Sequence, residues 1–194
     1  GTRLRTVVSD VPKPMAPVGG RPVLEHLFDY WIGQGVTEIV LNIGHKADVI
    51  SSHFGDQYRG LPVRYAIEDK PLGTGGGLLL SVNDIVGTDP CLILNADSLL
   101  ALSLAELEEA HRAAGADITL GAFPTSERDR YGALETDSSG HIIRFTAKGQ
   151  LQEGKETFLA SAGVYFGSAD AFRALRDAFE VGKPFSLEAD GFPW

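Results

Sequence analysis

Four charged side chains crowd the start of the sequence: Arg3, Arg5, Asp10 and Lys13 set three cations against one acid, in a chain whose formal net charge is -9. Such a local inversion of sign suits a polyanion. Arg3 offers a planar fork to phosphate oxygens and Lys13 a compact point charge, with Pro12 and Pro14 restricting the backbone on either side of it. Taken alone, two such cations also fit a solvated basic loop. Further along, Asp97 follows the apolar run Cys91-Leu92-Ile93-Leu94 through Asn95-Ala96. A carboxylate there can be a hard oxygen ligand for Mg2+ or a plain turn cap. Glu68 closes another apolar run, shortly before the glycine-rich stretch Gly73-Thr74-Gly75-Gly76-Gly77.

Regular elements must carry these groups. Leu24, Leu27, Phe28, Trp31 and Ile32 recur at helical spacing and predict an amphipathic helix stopped by Gly33 and Gly35. The pattern then predicts a strand from Glu38 to Gly44, a short helix from Ala47 to Phe54 and a strand from Val63 to Glu68. Gly73 to Gly77 lead into a helix through about Asn83, and Cys91 to Leu94 reads as a buried strand. Leu104 to Ala114 is amphipathic, with Ser103 as its cap and Glu106 three residues on. Strand and helix alternate this far, so the expected class is α/β: a Rossmann-like three-layer α/β/α arrangement with a mainly parallel mixed sheet. Ligands gather beyond the carboxyl ends of such strands, where Asp97 falls.

The second half is expected to be more antiparallel. Strands are predicted at Ile118 to Phe123, Ala133 to Thr136, Ile142 to Lys148 and Phe158 to Phe166, with a turn at Ser138-Ser139-Gly140. A last helix runs from Ala169 to Phe179, and Ser186 reads as the cap of a helix start. No internal repeat, heptad run or separating linker interrupts the 194 residues, which predicts a single domain.

Composition narrows the functions. With 43% hydrophobic and 22% charged residues the chain can build a full core. Its acidic balance argues against nonspecific nucleic-acid binding and against attraction to anionic membranes, whereas a small anionic substrate needs only a local basic patch. Cys91 is the only cysteine, so no disulfide can form within the chain, and a reducing cytoplasm is the expected location. No GxxxxGK[ST] loop is present, and His26, His45, His53, His111 and His141 lack metal-ligand spacing. The oligomeric state is open, a homo-oligomer being compatible with the sequence.

An ordered set of motifs resembles the sugar-1-phosphate nucleotidyltransferases. They are Gly1-Thr2-Arg3-Leu4-Arg5, then Asp10 through Gly20-Arg21-Pro22, Pro71 to Leu80, Leu94 to Ser98, Ser161 to Gly167 and Ser186 to Pro193. The resemblance implies attack of a sugar-1-phosphate oxygen on the α-phosphate of a nucleoside triphosphate, with loss of pyrophosphate. It divides the domain into a nucleotide-binding part, about 1–117, and a sugar-phosphate-binding part, about 118–194. It also implies roles: Arg3 and Lys13 on the phosphates, Gly1 and Thr2 at the end of a phosphate-cradling loop, and Asp97 on Mg2+. Glu68, Gly73 and Thr74 fall where the base is recognised. Tyr131, Gly132, Lys148, Ser161 and Gly163 fall on the sugar-phosphate side. Within the family the motifs are most similar to those of heptose 1-phosphate guanylyltransferases, which implies GTP as the nucleotide and a role in surface polysaccharide synthesis. N-acetylmuramate 1-phosphate uridylyltransferases and mannose or glucose 1-phosphate nucleotidyltransferases are the alternatives within the family, and a non-catalytic nucleotide-sugar-binding regulatory protein is the alternative of another class. Two positions depart from many relatives, Ala147 where a Glu is common and Ser161 where an Asn is common. Because the loop starts at its last glycine and the final helix barely begins, the resemblance also implies a sequence trimmed at both ends.

Overall fold

The computed structural model describes residues 11–82, 90–98, 101–127, 129–146, 150 and 156–193. After a short 3-10 turn at Lys13–Met15, two two-residue strands, β1 (Pro17–Val18) and β2 (Arg21–Pro22), form a hairpin around Gly19 and Gly20. There follow α1 (Val23–Ile32), β3 (Ile39–Ile43), α2 (Ala47–Phe54), β4 (Gln57–Tyr58), β5 (Leu61–Ile67), α3 (Gly73–Ser81), β6 (Pro90–Leu94) and α4 (Leu104–Ala114). The second half contains β7 (Ile118–Thr125), β8 (Ala133–Thr136), β9 (Ile142–Thr146), β10 (Phe158–Ser168) and α5 (Ala169–Ala178). A single π-helical turn at Leu187–Gly191 follows.

Local chemistry sets several boundaries. Ser103 Oγ accepts the Glu106 N–H at 3.3 Å to start α4, and Gly115 in the left-handed region ends it. Ser168 caps α5 in the same way through the Ala171 N–H, and Ser186 caps the last turn through the Ala189 N–H. The glycine run differs from expectation. It does not lead into α3 but forms its first turns. Each glycine costs about 1 kcal/mol against alanine in a helix, so tertiary packing has overridden propensity.

The α/β class is as expected, and the sheets are mixed. β3 pairs with β5 in parallel, and β4 adds to the far side of β5. In the second sheet, β10 runs antiparallel to β6, β7 and β8, and β9 extends β8. Antiparallel pairs outnumber parallel ones among the described residues because this one long strand opposes three neighbours. The core is layered accordingly. Leu24, Leu27, Phe28 and Trp31 of α1 pack on Ile39, Leu41 and Ile43 of β3, with Ile50 and Phe54 of α2 beside them. A second cluster joins Leu78, Leu79 and Val82 to Tyr165, Phe172, Leu175 and Leu187. Each fully buried side chain of this size contributes about 1.5–3 kcal/mol, so Phe172, with no exposure, ties α5 firmly to the sheet. Among the described residues no helix is long and apolar enough to cross a membrane.

Candidate active site

The glycine-rich start of α3 is built against a distant segment. Gly73 adopts φ +71°, and a Cβ on it would lie 2.6 Å from the Phe185 carbonyl oxygen. A Cβ on Gly75 would enter the Phe185 ring, and one on Gly76 would lie 2.6 Å from the Lys183 carbonyl oxygen. Glycine is therefore required here by close approach. The Phe185 N–H donates to Leu72 O at 3.0 Å, and the Gly75 N–H returns a bond to Phe185 O at 3.1 Å. Thr74 Oγ1 accepts the Leu187 N–H at 2.9 Å. Residues 183–187 thus close over the first turn of α3.

Glu68 lies immediately after β5. Its Oε2 accepts the Leu72 N–H at 3.2 Å, and its carboxylate lies against Gly77, where a side chain would displace it. A cavity of about 760 Å3 is lined by residues of α1, β3, α3 and β6. Asn42, Glu68, Thr74 and Asn95 are polar groups on its wall. A smaller cavity, about 380 Å3, adjoins it and is lined by Lys13, Pro14, Thr74, Asn95, Ala96 and Asp97.

Lys13 and Asp97, remote in sequence, meet in this smaller cavity as an ion pair. The 3-10 turn places Lys13, and the end of β6 places Asp97. Their side chains are 36% and 40% exposed, and a pair so open to water is worth about 0–1 kcal/mol. Little holds either group back from a more highly charged partner. Among the described residues there is no cluster of three or more His, Cys, Asp or Glu that could hold a metal. Asp97 offers one carboxylate at a strand end, and Mg2+ takes one or two such oxygens while keeping substrate phosphates and water as its other ligands.

The sugar-side candidates stand next to this loop. The Asn95 N–H donates to Gly163 O at 2.9 Å, continuing the pairing of β6 with β10 in which Val164 faces Leu94. Gly163 has φ +70°, and a Cβ there would strike the Asn95 side chain. The pairing of β10 with β7 shifts register between Ser161 and Tyr165, so the strand bulges at Gly163. Tyr131 sets its ring edge-on to Phe123 at 5.1 Å, and Phe123 is the register partner of Ala160, next to Ser161. Gly132 follows Tyr131 at the entry to β8.

Of the residues expected from sequence, the structure gathers Lys13, Thr74 and Asp97 on one small cavity, with Glu68 and Gly73 on the adjoining one and Ser161 and Gly163 across the β6 edge. Gly1, Thr2, Arg3 and Lys148 lie outside the described residues, as does Ala147. Asn42, Asn95, Tyr165 and Glu188 join the candidates once the fold is known. Asn95 could have been found from its place directly before Ala96-Asp97. The others depend on contacts with no local sequence signal. Cys91 is partly buried and its thiol is pushed up to about 11, chiefly by burial, which suits an inert side chain.

Known proteins resemble this chain in sequence and fold. The family model described as nucleotidyl transferase matches residues 1–187. The chain is 36% identical to D-glycero-alpha-D-manno-heptose 1-phosphate guanylyltransferase of Aneurinibacillus thermoaerophilus, over 98% of this chain and 78% of that protein. It is 33% identical to mannose-1-phosphate guanylyltransferase of Mycobacterium tuberculosis, over 100% of this chain and 52% of that one. Among solved structures, HddC from Yersinia pseudotuberculosis complexed with GMP-PN superimposes with a TM-score of 0.79 at 29% identity, covering 100% of this chain and 81% of that one. A cation and a carboxylate held together at a strand end, the glycine-built helix start beside them and a family match along almost the whole chain lead to one assignment: this chain belongs to the nucleotidyl transferase family.

Proposed function

We propose that the protein transfers GMP from GTP to D-glycero-D-manno-heptose 1-phosphate, releasing pyrophosphate and forming a nucleotide sugar for surface polysaccharide synthesis in the cytoplasm. The observation that carries this reading is the meeting of Lys13 and Asp97 beside Thr74, within a fold whose relatives include guanylyltransferases acting on this sugar phosphate. An oxygen of the sugar phosphate forms a bond to the α-phosphorus as the bond to the pyrophosphate oxygen breaks. No protein nucleophile is needed. The protein must align two anions that repel each other and neutralise charge on the leaving group.

Lys13 supplies positive charge to the α-phosphate and the departing oxygens, joined by Arg3 on the outer phosphates. Asp97 holds Mg2+, which supplies further neutralisation of the phosphates when bound. Glu68 reads the base. One of its oxygens already accepts the Leu72 N–H, which fixes the side chain, and a carboxylate has acceptor sites left for the two N–H groups on the guanine edge. Gly73 lets the base approach the backbone, while Gly1, Thr2 and Thr74 border the nucleotide. Tyr131, Gly132, Lys148, Ser161 and Gly163 form the sugar-phosphate side. Pyrophosphate release, measured over a grid of GTP, UTP, dTTP and ATP against heptose, mannose, glucose and N-acetylmuramate 1-phosphates, tests the reading. Turnover with none of them would instead leave a nucleotide-sugar sensor.

A further inference from the structure

Two polar side chains converge on Gly77. Asn42 on β3 is the register partner of Ala66 on β5. Glu68 follows Ala66 by two residues and is tied to the end of β3, its N–H donating to Ile43 O at 2.8 Å. Side chains two apart on an extended chain share a face, so Asn42 and Glu68 rise on the same side of the sheet. Gly77 of α3 meets both: a Cβ on it would lie 2.5 Å from Glu68 Oε1 and 3.5 Å from Asn42 Nδ2. All three residues line the 760 Å3 cavity, as does Gly73, one helical turn before Gly77 on the same face of α3. Neither glycine puts a side chain between the helix start and this polar pair.

Their polarities are complementary. Glu68 commits Oε2 to the Leu72 N–H and keeps Oε1 towards Gly77. Asn42 turns its amide NH2 the same way, the orientation favoured near a carboxylate, since the opposite one would set Oδ1 against that charge. Asn42 is exposed, and among the described residues no hydrogen bond engages its side chain. The wall thus offers a charged acceptor and, close by, a neutral donor with its protons uncommitted. A keto oxygen beside a ring N–H is the edge that fits such a pair, and guanine carries one at O6 and N1. Adenine has an amino group and a bare nitrogen there, so donor would meet donor and charge would meet lone pair. We infer that Asn42 is a specificity-determining residue of the nucleotide site, donating to the keto oxygen of the base while Glu68 accepts from the neighbouring N–H groups. The inference deepens the proposed function and rests on its placing of the base at Glu68 and Gly73. It divides the recognition in two: β3 reads the keto group, and the end of β5 reads the 2-amino group.

The test measures kcat/KM for GTP, ITP and ATP with D-glycero-D-manno-heptose 1-phosphate, in wild type and Asn42→Ala. Inosine keeps the keto oxygen and N1–H of guanine and lacks only the 2-amino group, so it separates the two readers. The substitution should lower kcat/KM for GTP and for ITP by the same factor, roughly three- to tenfold, the weight of one hydrogen bond. ATP should not fall, so the GTP/ATP ratio contracts by that factor while the GTP/ITP ratio stays. The loss should appear in KM for the nucleotide, with kcat and the sugar-phosphate KM unmoved, because the base contact is the same before and during reaction. An equal loss for all three nucleotides would give Asn42 a structural role only, a loss for GTP but not ITP would move it to the 2-amino group, and no loss would remove it from the base. Each of these results would overturn the inference while leaving guanylyl transfer intact. A wild type that prefers UTP would instead overturn the proposed function, and UTP against CTP then decides on Asn42, since uracil keeps a keto oxygen beside a ring N–H and cytosine has an amino group there. A fall for UTP alone would uphold the inference, and any other pattern would overturn it. A wild type that turns over no triphosphate would also overturn the proposed function, and calorimetric Kd values for GTP, ITP and ATP then decide on Asn42 by the same ratios.

Discussion

The two flanks of the candidate site are built differently. On one, the start of α3 is locked to residues 183–187 by backbone bonds in both directions, by the Thr74 bond to Leu187 and by glycines that leave no room for a Cβ. On the other, Lys13 and Asp97 share an ion pair in which each side chain is more than a third exposed. The first flank is rigid before any ligand arrives. The second keeps its charges in water and ready to exchange partners. A base is planar and neutral and is told from other bases by hydrogen bonds at fixed positions, so it profits from a wall set in advance, whereas phosphate charge changes during reaction and is best met by groups with little to give up.

The largest expected effect tests the open flank. Lys13→Ala should lower kcat by about two to three orders of magnitude, the scale of losing one oriented charge donor. Its effect on stability should stay below about 1 kcal/mol, as for other exposed ion pairs. Steady-state kinetics beside thermal melts separate the two, and a large drop in Tm with modest kinetic loss would show that the flanks are not distinct in this way. The locked flank should behave in the opposite sense. Gly76→Ala should cost about 1–3 kcal/mol through overpacking against Lys183, read as a fall in Tm of roughly 2–4 °C per kcal/mol. Denaturant unfolding that left it as stable as wild type would mean that residues 183–187 do not close on α3.

Asp97→Asn sharpens the contrast on the metal. The amide keeps the shape and loses the charge, so about tenfold or more Mg2+ should be needed for half-maximal turnover, with the fold unaffected. Superimposable Mg2+ activation curves would remove Asp97 from the metal. A smaller effect serves as a control at an ion-pair network that neither flank includes. His53, first, and Arg21 hold the Glu25 carboxyl below its ordinary value of 4.5. A group lowered in the folded state stabilises fully above its unfolded value, and that contribution disappears as pH falls through the folded one. Glu25→Gln should therefore flatten the loss of stability below about pH 4.5 by less than about 1 kcal/mol, without touching turnover at pH 7. Identical pH-stability curves would show that this network carries nothing.

The same division explains what could be read from sequence. Helix α4, with Ser103 and Glu106 at its cap, and α2 were legible to the residue, because periodicity and capping are local. Strands β1, β2 and β4 were not, since two residues are too few to show an alternation. The open flank was half legible. Lys13 and Asp97 announce themselves by type and context, although only the fold makes them neighbours. The locked flank was hidden: the purpose of Gly75 and Gly76 is fixed by Phe185 and Lys183 more than a hundred residues later, and the bond from Tyr165 to Glu188 joins two elements by the same kind of distant packing.

The central claim is guanylyl transfer read out by a carboxylate on the locked flank, and kcat/KM for GTP, UTP, dTTP and ATP with heptose 1-phosphate, in wild type and Glu68→Gln, tests it most directly. GTP should exceed ATP by roughly 100-fold or more, because adenine leaves a charged acceptor without donors, and the substitution should shrink that ratio by about tenfold. Equal values for the four triphosphates, a preference for UTP, or a ranking unmoved by Glu68→Gln would contradict it.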